Sequence, residues 1–211
     1  MSNEANEALG AILAVIHQES EAASSCERVF GDAVAAIARL GVLLGNIHSN
    51  KVDGAILVPD TNALLHNPAI EEWLFADFPK FVVLLVPVVL SELDQLKVSG
   101  KAESVRTKSE SLIKRFKEFR RRGSLSVGVT VRKDVSTLRT LAREPDFSKT
   151  LSWLNPDNND DRLLAYMFEV MRQYPQSPVV LITRDFNLQN KAEYASCPFI
   201  EPPDPTPPTA A

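Results

Sequence analysis

The sequence predicts an α/β fold: a parallel sheet of about five strands with helices on both faces, preceded by a helical hairpin. Three observations carry this. Short apolar runs (AILVP, FVVLLVP, LSVGVTV, PVVLITR) alternate with stretches of helical periodicity from Ala55 to Glu201. Acidic residues stand where apolar runs hand over to helices: Asp60, Glu92, the pair Asp160 and Asp161, and Asp185. The chain has 211 residues with 45% hydrophobic content, enough for one substantial core and an accessory element.

The elements follow in order. Residues 5–48 read as two helices. Leu9, Ile12, Val15 and Ile16 keep helical spacing, and Ser24 with Glu27 makes a capping box. Val29, Ala33, Ile37, Leu40 and Leu44 give the second helix its apolar stripe, which the hairpin packs on the main domain, on a protein partner or on another copy of the chain. His48 to Gly54 is a polar linker, so residues 1–54 form an N-terminal extension. AILVP is a buried strand, and Asn62 to Phe75 is helical with a break near Pro68. FVVLLVP is the second strand, followed by a helix through Val88 to Lys97. Residues 102–122 form an amphipathic helix with Val105, Leu112, Ile113, Phe116 and Phe119 on one face. LSVGVTV is the third strand, and residues 133–158 an irregular connection in which Trp153 anchors the core. Asp160 to Gln173 is helical, PVVLITR the fourth strand, Asn187 to Tyr194 a short helix, and CPFIE a fifth, edge strand. The main domain thus spans 55–200, and residues 201–211 are a Pro-rich tail expected to be disordered.

Charge and cysteine usage exclude several classes. The formal net charge is -4, so the whole molecule does not announce a nucleic-acid binder. Between Lys97 and Arg122, however, ten Lys/Arg face three Glu. Within that run Lys114, Arg115, Lys117, Arg120, Arg121 and Arg122 offer either a solvated helix face or a surface that tracks phosphates. Two cysteines, Cys26 and Cys197, are too few for a disulfide framework or a zinc site. No signal-peptide pattern opens the chain and no apolar run approaches bilayer length, which leads us to expect a soluble cytoplasmic protein.

In an open parallel sheet the carboxyl ends of the strands face one crevice, where ligands bind. Carboxylates remote in sequence therefore meet at one edge, and like charges gathered there call for a cation. Oxygen-only ligands suit Mg²⁺ or Mn²⁺. Asp60, Glu92, Asp160, Asp161 and Asp185 are the ligand set, with Asn62 and Thr183 either orienting carboxylates or waters around them or making turn hydrogen bonds. Arg162 and Arg184 adjoin the acids and either contact phosphate or balance charge. Each Asp is also a good helix N-cap, so capping is the competing reading for Asp60, Asp160 and Asp185. His66 reads as a helix-end residue.

On DTN at Asp60, PVVLSELDQLK around Glu92, DDRLLA at Asp161 and TRDFNLQNKA at Asp185, residues 55–200 resemble a PIN domain. The second motif looks most like those of PIN domains found with PhoH-type ATPases and in RNA-decay factors. The resemblance implies strand order 3-2-1-4-5, one or two Mg²⁺ or Mn²⁺ ions, and hydrolysis of single-stranded RNA by metal-activated water. It implies Asp60, Glu92, Asp161 and Asp185 as the catalytic acids, with Asp160 auxiliary. Two other readings stand beside it. One is a PIN-like module that binds RNA or protein without catalysis. The other, a haloacid-dehalogenase-type phosphatase, needs a second acid where this chain has Asn62.

Overall fold

The computed structural model describes residues 7, 10, 13, 26–49, 52–99 and 102–206. It divides into two units, residues 1–51 and 52–211. In the first, residues 7, 10 and 13 are helical and helix α1 spans Cys26–Ser49, while the remainder of the expected first hairpin arm lies outside the described residues. Along α1, Ile37 and Leu44 of the apolar stripe stay exposed.

The second unit is built on a six-stranded sheet. Its elements are β1 Ala55–Pro59, α2 Thr61–His66, β2 Phe81–Leu85, α3 Pro87–Ser99, α4 Glu103–Arg122, β3 Val129–Arg132, β4 Ser136–Thr140, α5 Asn159–Gln173, β5 Val179–Ile182, α6 Phe186–Tyr194 and β6 Phe199–Ile200. The spatial order is β3-β4-β2-β1-β5-β6, and every pairing is parallel except β3 with β4. β1, β2 and β5 are buried along their whole length, as continuous apolar runs in a covered parallel sheet should be. Flanking helices seal them with Leu64, Leu93, Leu112, Phe116, Leu164 and Met167.

The expected five-strand order holds once the third strand is corrected. LSVGVTV contributes only β3, an antiparallel edge strand, and the parallel neighbour of β2 is β4, inside the stretch read as irregular. STLRT holds a single large apolar residue, Leu138, which is fully buried. Backbone pairing with β2 from Phe81↔Ser136 to Leu85↔Thr140, rather than hydrophobicity, defines that strand. The helix expected over Asn62–Phe75 ends at His66. Asn67 is extended, as a residue before proline prefers, and its carbonyl accepts the Trp73 indole N–H at 3.1 Å. Trp153 is 39% exposed and packs edge-on to Tyr194 rather than in the core.

Pro59 sits inside central strand β1 without breaking a ladder. Ile56 and Asp60 donate their N–H groups to Pro178 and Ile182, on the β5 side. By alternation, the Pro59 nitrogen faces β2, whose pairing with β1 already stops at Leu57↔Val83. The tail also departs from expectation at its start. Asn67 Nδ2 donates to the Pro203 carbonyl at 3.1 Å, His66 pairs with Asp204, and Pro202 is buried, so residues 202–204 lie on the domain. Carbonyls of a proline segment remain good acceptors, which suffices to pin it. Residues 207–211 lie outside the described residues.

Chain direction fixes where a site can form. From β1 the chain steps outward through β2 to β4, then returns across the sheet to β5 and β6. Right-handed crossovers put the helices of the two runs on opposite faces. The switch point therefore falls between the carboxyl ends of β1 and β5, next to Asp60 and Thr183.

Gly54 opens β1 with φ +101°, and a Cβ there would sit 2.1 Å from the Lys80 carbonyl oxygen. That oxygen accepts the Ala55 N–H, so neither side can yield freely. Gly54→Ala is expected to destabilise the domain by about 2 kcal/mol or more, combining left-handed strain with a backbone clash. Urea denaturation measures this, and an unchanged midpoint would contradict the packing described.

Candidate active site

Asp60 follows the last residue of β1 and caps α2. Its backbone N–H extends the ladder to Ile182, and its Oδ1 accepts from Ala63 N at 2.6 Å. Its Oδ2 accepts from the Thr183 hydroxyl at 2.5 Å, and the residue is only 5% exposed. Asp185 repeats the arrangement one strand away. Its Oδ1 caps α6 through Asn187 N at 2.8 Å and Leu188 N at 3.2 Å. Its own N–H donates to Thr183 Oγ1 at 3.0 Å. Thr183, wholly buried at the end of β5, thus ties the two acids together.

Glu92 reaches the same place from α3. It accepts from Thr61 Oγ1 at 2.5 Å through Oε2 and from Asn159 Nδ2 at 2.6 Å through Oε1. α5 is capped by Asn158, whose side chain accepts the Asp161 N–H at 3.1 Å. The cap is therefore Asn158 and not Asp160. Asp160 and Asp161 occupy the first turn, where the helix N-terminus favours negative charge.

Asp60, Asn62, Glu92, Asp160 and Asp185 line one cleft of about 310 Å³, with Thr61 and Asn159 among the other polar residues and Val88, Leu163 and Leu188 among the apolar ones. Asp161 does not line it. It is 7% exposed, accepts the Asn155 N–H at 3.0 Å, and is clamped by Lys191 Nζ at 2.8 Å. Lys191 also approaches Asp160 at 3.4 Å and Asn158 Oδ1 at 3.3 Å. Burial works against its ammonium, but the Asp161 hydrogen bond and the charges of Asp160 and Asp161 outweigh that and raise its pKa. The adjacent arginines are engaged elsewhere. Arg162 pairs with Glu144 at 3.0 Å, and Arg184 contacts His66 Nδ1 at 2.7 Å and lies 3.7 Å from Glu201. His66 is the last residue of α2, as expected of a helix-end residue.

Thr61, Asn159 and Lys191 are the participants that sequence reasoning did not single out. Thr61 and Asn159 directly adjoin Asp60 and Asp160, which is the only signal they give. Lys191 stands six residues beyond Asp185, where α6 brings it back over the start of α5.

The electrostatics are those of an acid under pressure. Burial is the main force raising the Asp60 pKa to about 6. The Thr183 and Ala63 hydrogen bonds pull it down, while Asp185 and Glu92 push it further up. No thiol or imidazole lines the cleft. The buried Cys197 thiol is pushed up to about 11 by burial, which keeps it protonated and inert. Among the described residues, no three His, Cys, Asp or Glu side chains are grouped as ligands of one ion. Hydrogen bonds to Thr61, Asn159 and the α6 cap hold the carboxylates to protein donors instead. The donor set of hard carboxylate oxygens, with the pKa of one acid raised chiefly by burial, fits a divalent cation.

A mostly parallel α/β sheet with carboxylates gathered in a cleft at its switch point is the arrangement of ligand-binding open-sheet folds. Residues 57–198 match the family model described as the PIN domain, and the chain belongs to that family. PIN domains are generally nucleases and typically use divalent metals. No curated protein matches the sequence. Among the described residues, no helix is long and apolar enough to cross a membrane.

Asp60 should make stability fall as pH rises. Its folded pKa of about 6 exceeds the ordinary 3.8, so the folded state holds the extra proton between those values. The penalty is absent below pH 3.8 and complete above pH 6. Two pKa units correspond to on the order of 3 kcal/mol. Asp60→Asn keeps the cap without the charge. In EDTA it should gain on the wild type progressively from pH 4 to pH 6, then stay ahead. A pH-independent difference in urea midpoints would contradict the role of charge.

Proposed function

We propose that this protein hydrolyses phosphodiester bonds of single-stranded RNA in the acidic cleft, with Mg²⁺ or Mn²⁺ as cofactor. The observation that carries the reading is the meeting of Asp60, Glu92, Asp160 and Asp185, from four separate elements, at the switch point of a PIN-family sheet. Those four carboxylates would hold the cation. When bound, the ion supplies positive charge that lowers the pKa of water and offsets the charge gathering on phosphate in the transition state.

The chain's own residues do the rest. Thr183 fixes Asp60 and Asp185 in one orientation by donating to the first and accepting from the second. Thr61 and Asn159 set the Glu92 carboxylate. Lys191 neutralises Asp161 beside the cleft and so relieves one of the charges an incoming phosphate would meet. Asn62, on the cleft wall, offers an amide for a phosphate oxygen. Water attacks in this reading, so no side-chain nucleophile is needed. Asp161, the acid the family motif points to, takes a positioning role through Lys191, and Asp160 takes the place at the cleft.

A second reading is favoured by one observation: the acids bond to protein donors and are not grouped around one ion. On that reading the domain binds RNA or protein without cutting.

Labelled single-stranded RNA incubated with Mn²⁺, Mg²⁺ or EDTA separates the two. Cleavage should require the metal, and undiminished cleavage in EDTA would overturn the cofactor. Asp160→Asn should lower the rate at least about a hundredfold, as losses of groups around a metal do, with stability unimpaired. Asp161→Asn should instead destabilise the fold, because it weakens the partner of a half-buried ammonium. Full activity in Asp160→Asn would return the third acid to Asp161.

A further inference from the structure

A second depression of about 1000 Å³ opens at the carboxyl ends of β2 and β4, bounded by α3 and α4. It shares α3 with the acidic cleft. Glu92 and Gln95 face the cleft, while Leu90 and Asp94 face this groove. Successive helix positions turn by about 100°, so the two sets fall on different sides of one helix. Leu85, Phe116 and Tyr174 are among the groove's apolar lining, and Lys117, Arg120 and Arg139 are its cations. Asp94 is the only carboxylate among the lining residues.

The basic run on α4 divides by what its members do. Arg115 is bound to the Pro68 carbonyl at 2.9 Å and to Glu71. Arg122 donates to the Thr130 carbonyl at 2.8 Å and covers the Phe119 ring. Lys117 and Arg120 make no hydrogen bond or ion pair among the described residues and line the groove instead. Arg139 joins them from β4 across Gly128, where φ is +124° and a Cβ would meet Arg139 Nε at 3.0 Å. Among the described residues that Nε has no hydrogen-bond partner and is shut off from solvent, so Arg139 meets the groove through the rest of its side chain.

We propose that this groove binds the single-stranded RNA that flanks the acidic cleft, with Lys117, Arg120 and Arg139 on phosphates and a base lying against the half-buried Tyr174. Three cations against one carboxylate suit a polyanion. An aromatic ring in the lining suits an unpaired base better than a duplex. The proposal deepens the ribonuclease reading and rests on it for the identity of the strand.

The test is fluorescence anisotropy of a labelled single-stranded RNA oligonucleotide titrated in EDTA over a range of salt. Without metal the acidic cleft repels RNA, so binding reports on the groove. Lys117→Gln/Arg120→Gln/Arg139→Gln should weaken binding on the order of tenfold and lower the salt slope by about two units, since each single-strand phosphate contact contributes about 0.7. Arg106→Gln/Lys114→Gln/Arg121→Gln removes the same charge from exposed positions outside the groove and should leave the slope unchanged. Lys117→Gln/Arg120→Gln leaves β4 intact and keeps the test valid should the triple variant fold poorly. Equal losses in both triple variants, no loss in either, or binding of an acidic polypeptide in preference to RNA would overturn the groove. Absence of RNA binding by the wild type in EDTA would overturn the groove, and metal-dependent cleavage in spite of it would leave the ribonuclease reading standing. Binding with the expected slopes but no metal-dependent cleavage would leave the groove standing and remove only the catalytic reading.

Discussion

The rest of this structure depends on how it tolerates carboxylates packed at one edge of a sheet. Asp60 is nearly inaccessible to water, and its neighbours Glu92 and Asp185 carry the same charge. Left alone, such a group neutralises itself or opens the fold. Here a helix N-terminus and a buried threonine take up its oxygens, and the same threonine orients Asp185. Glu92 is met by a hydroxyl and an amide from two different helices. The Thr183 and Ala63 hydrogen bonds offset only part of the burial penalty, to which Asp185 and Glu92 add, so the Asp60 pKa still stands at about 6. In the function proposed above, a cation would offset what remains.

Capping a helix and lining the cleft are therefore not alternatives at these positions. Asp60 and Asp185 each give one oxygen to the start of a helix. The other Asp60 oxygen takes the threonine hydroxyl, and the other Asp185 oxygen has no hydrogen-bond partner among the described residues. A helix start at the carboxyl end of a strand supplies both the donors that hold a carboxylate and the crevice it faces. The same economy appears in Lys191, which neutralises Asp161 beside the acids rather than among them.

The sheet core was legible because β1, β2 and β5 are short apolar runs between turn residues, and the cleft because its acids stand at their ends. β4 was hidden by its composition: Ser136, Thr137, Arg139 and Thr140 announce no strand, and only pairing with β2 makes one. The choice between Asp160 and Asp161 was hidden too. Adjacent helix positions point about 100° apart, and only the folded α5 shows that Asp160 lines the cleft while Asp161 turns to Lys191. The charge run on α4 was plain as composition, but its division between Arg115, spent on a carbonyl and Glu71, and Arg120, at the groove, depends on tertiary neighbours. The pinned start of the Pro-rich tail depends likewise on Asn67, far away in sequence.

The burial of Asp60 beside like charges is the central claim, and carboxyl-selective NMR titration of that side chain tests it most directly. In metal-free buffer the Asp60 carboxyl should titrate near pH 6, and Mg²⁺ should lower its midpoint as the cation takes up the surplus charge. A midpoint in the ordinary carboxylate range, unmoved by Mg²⁺, would contradict the account.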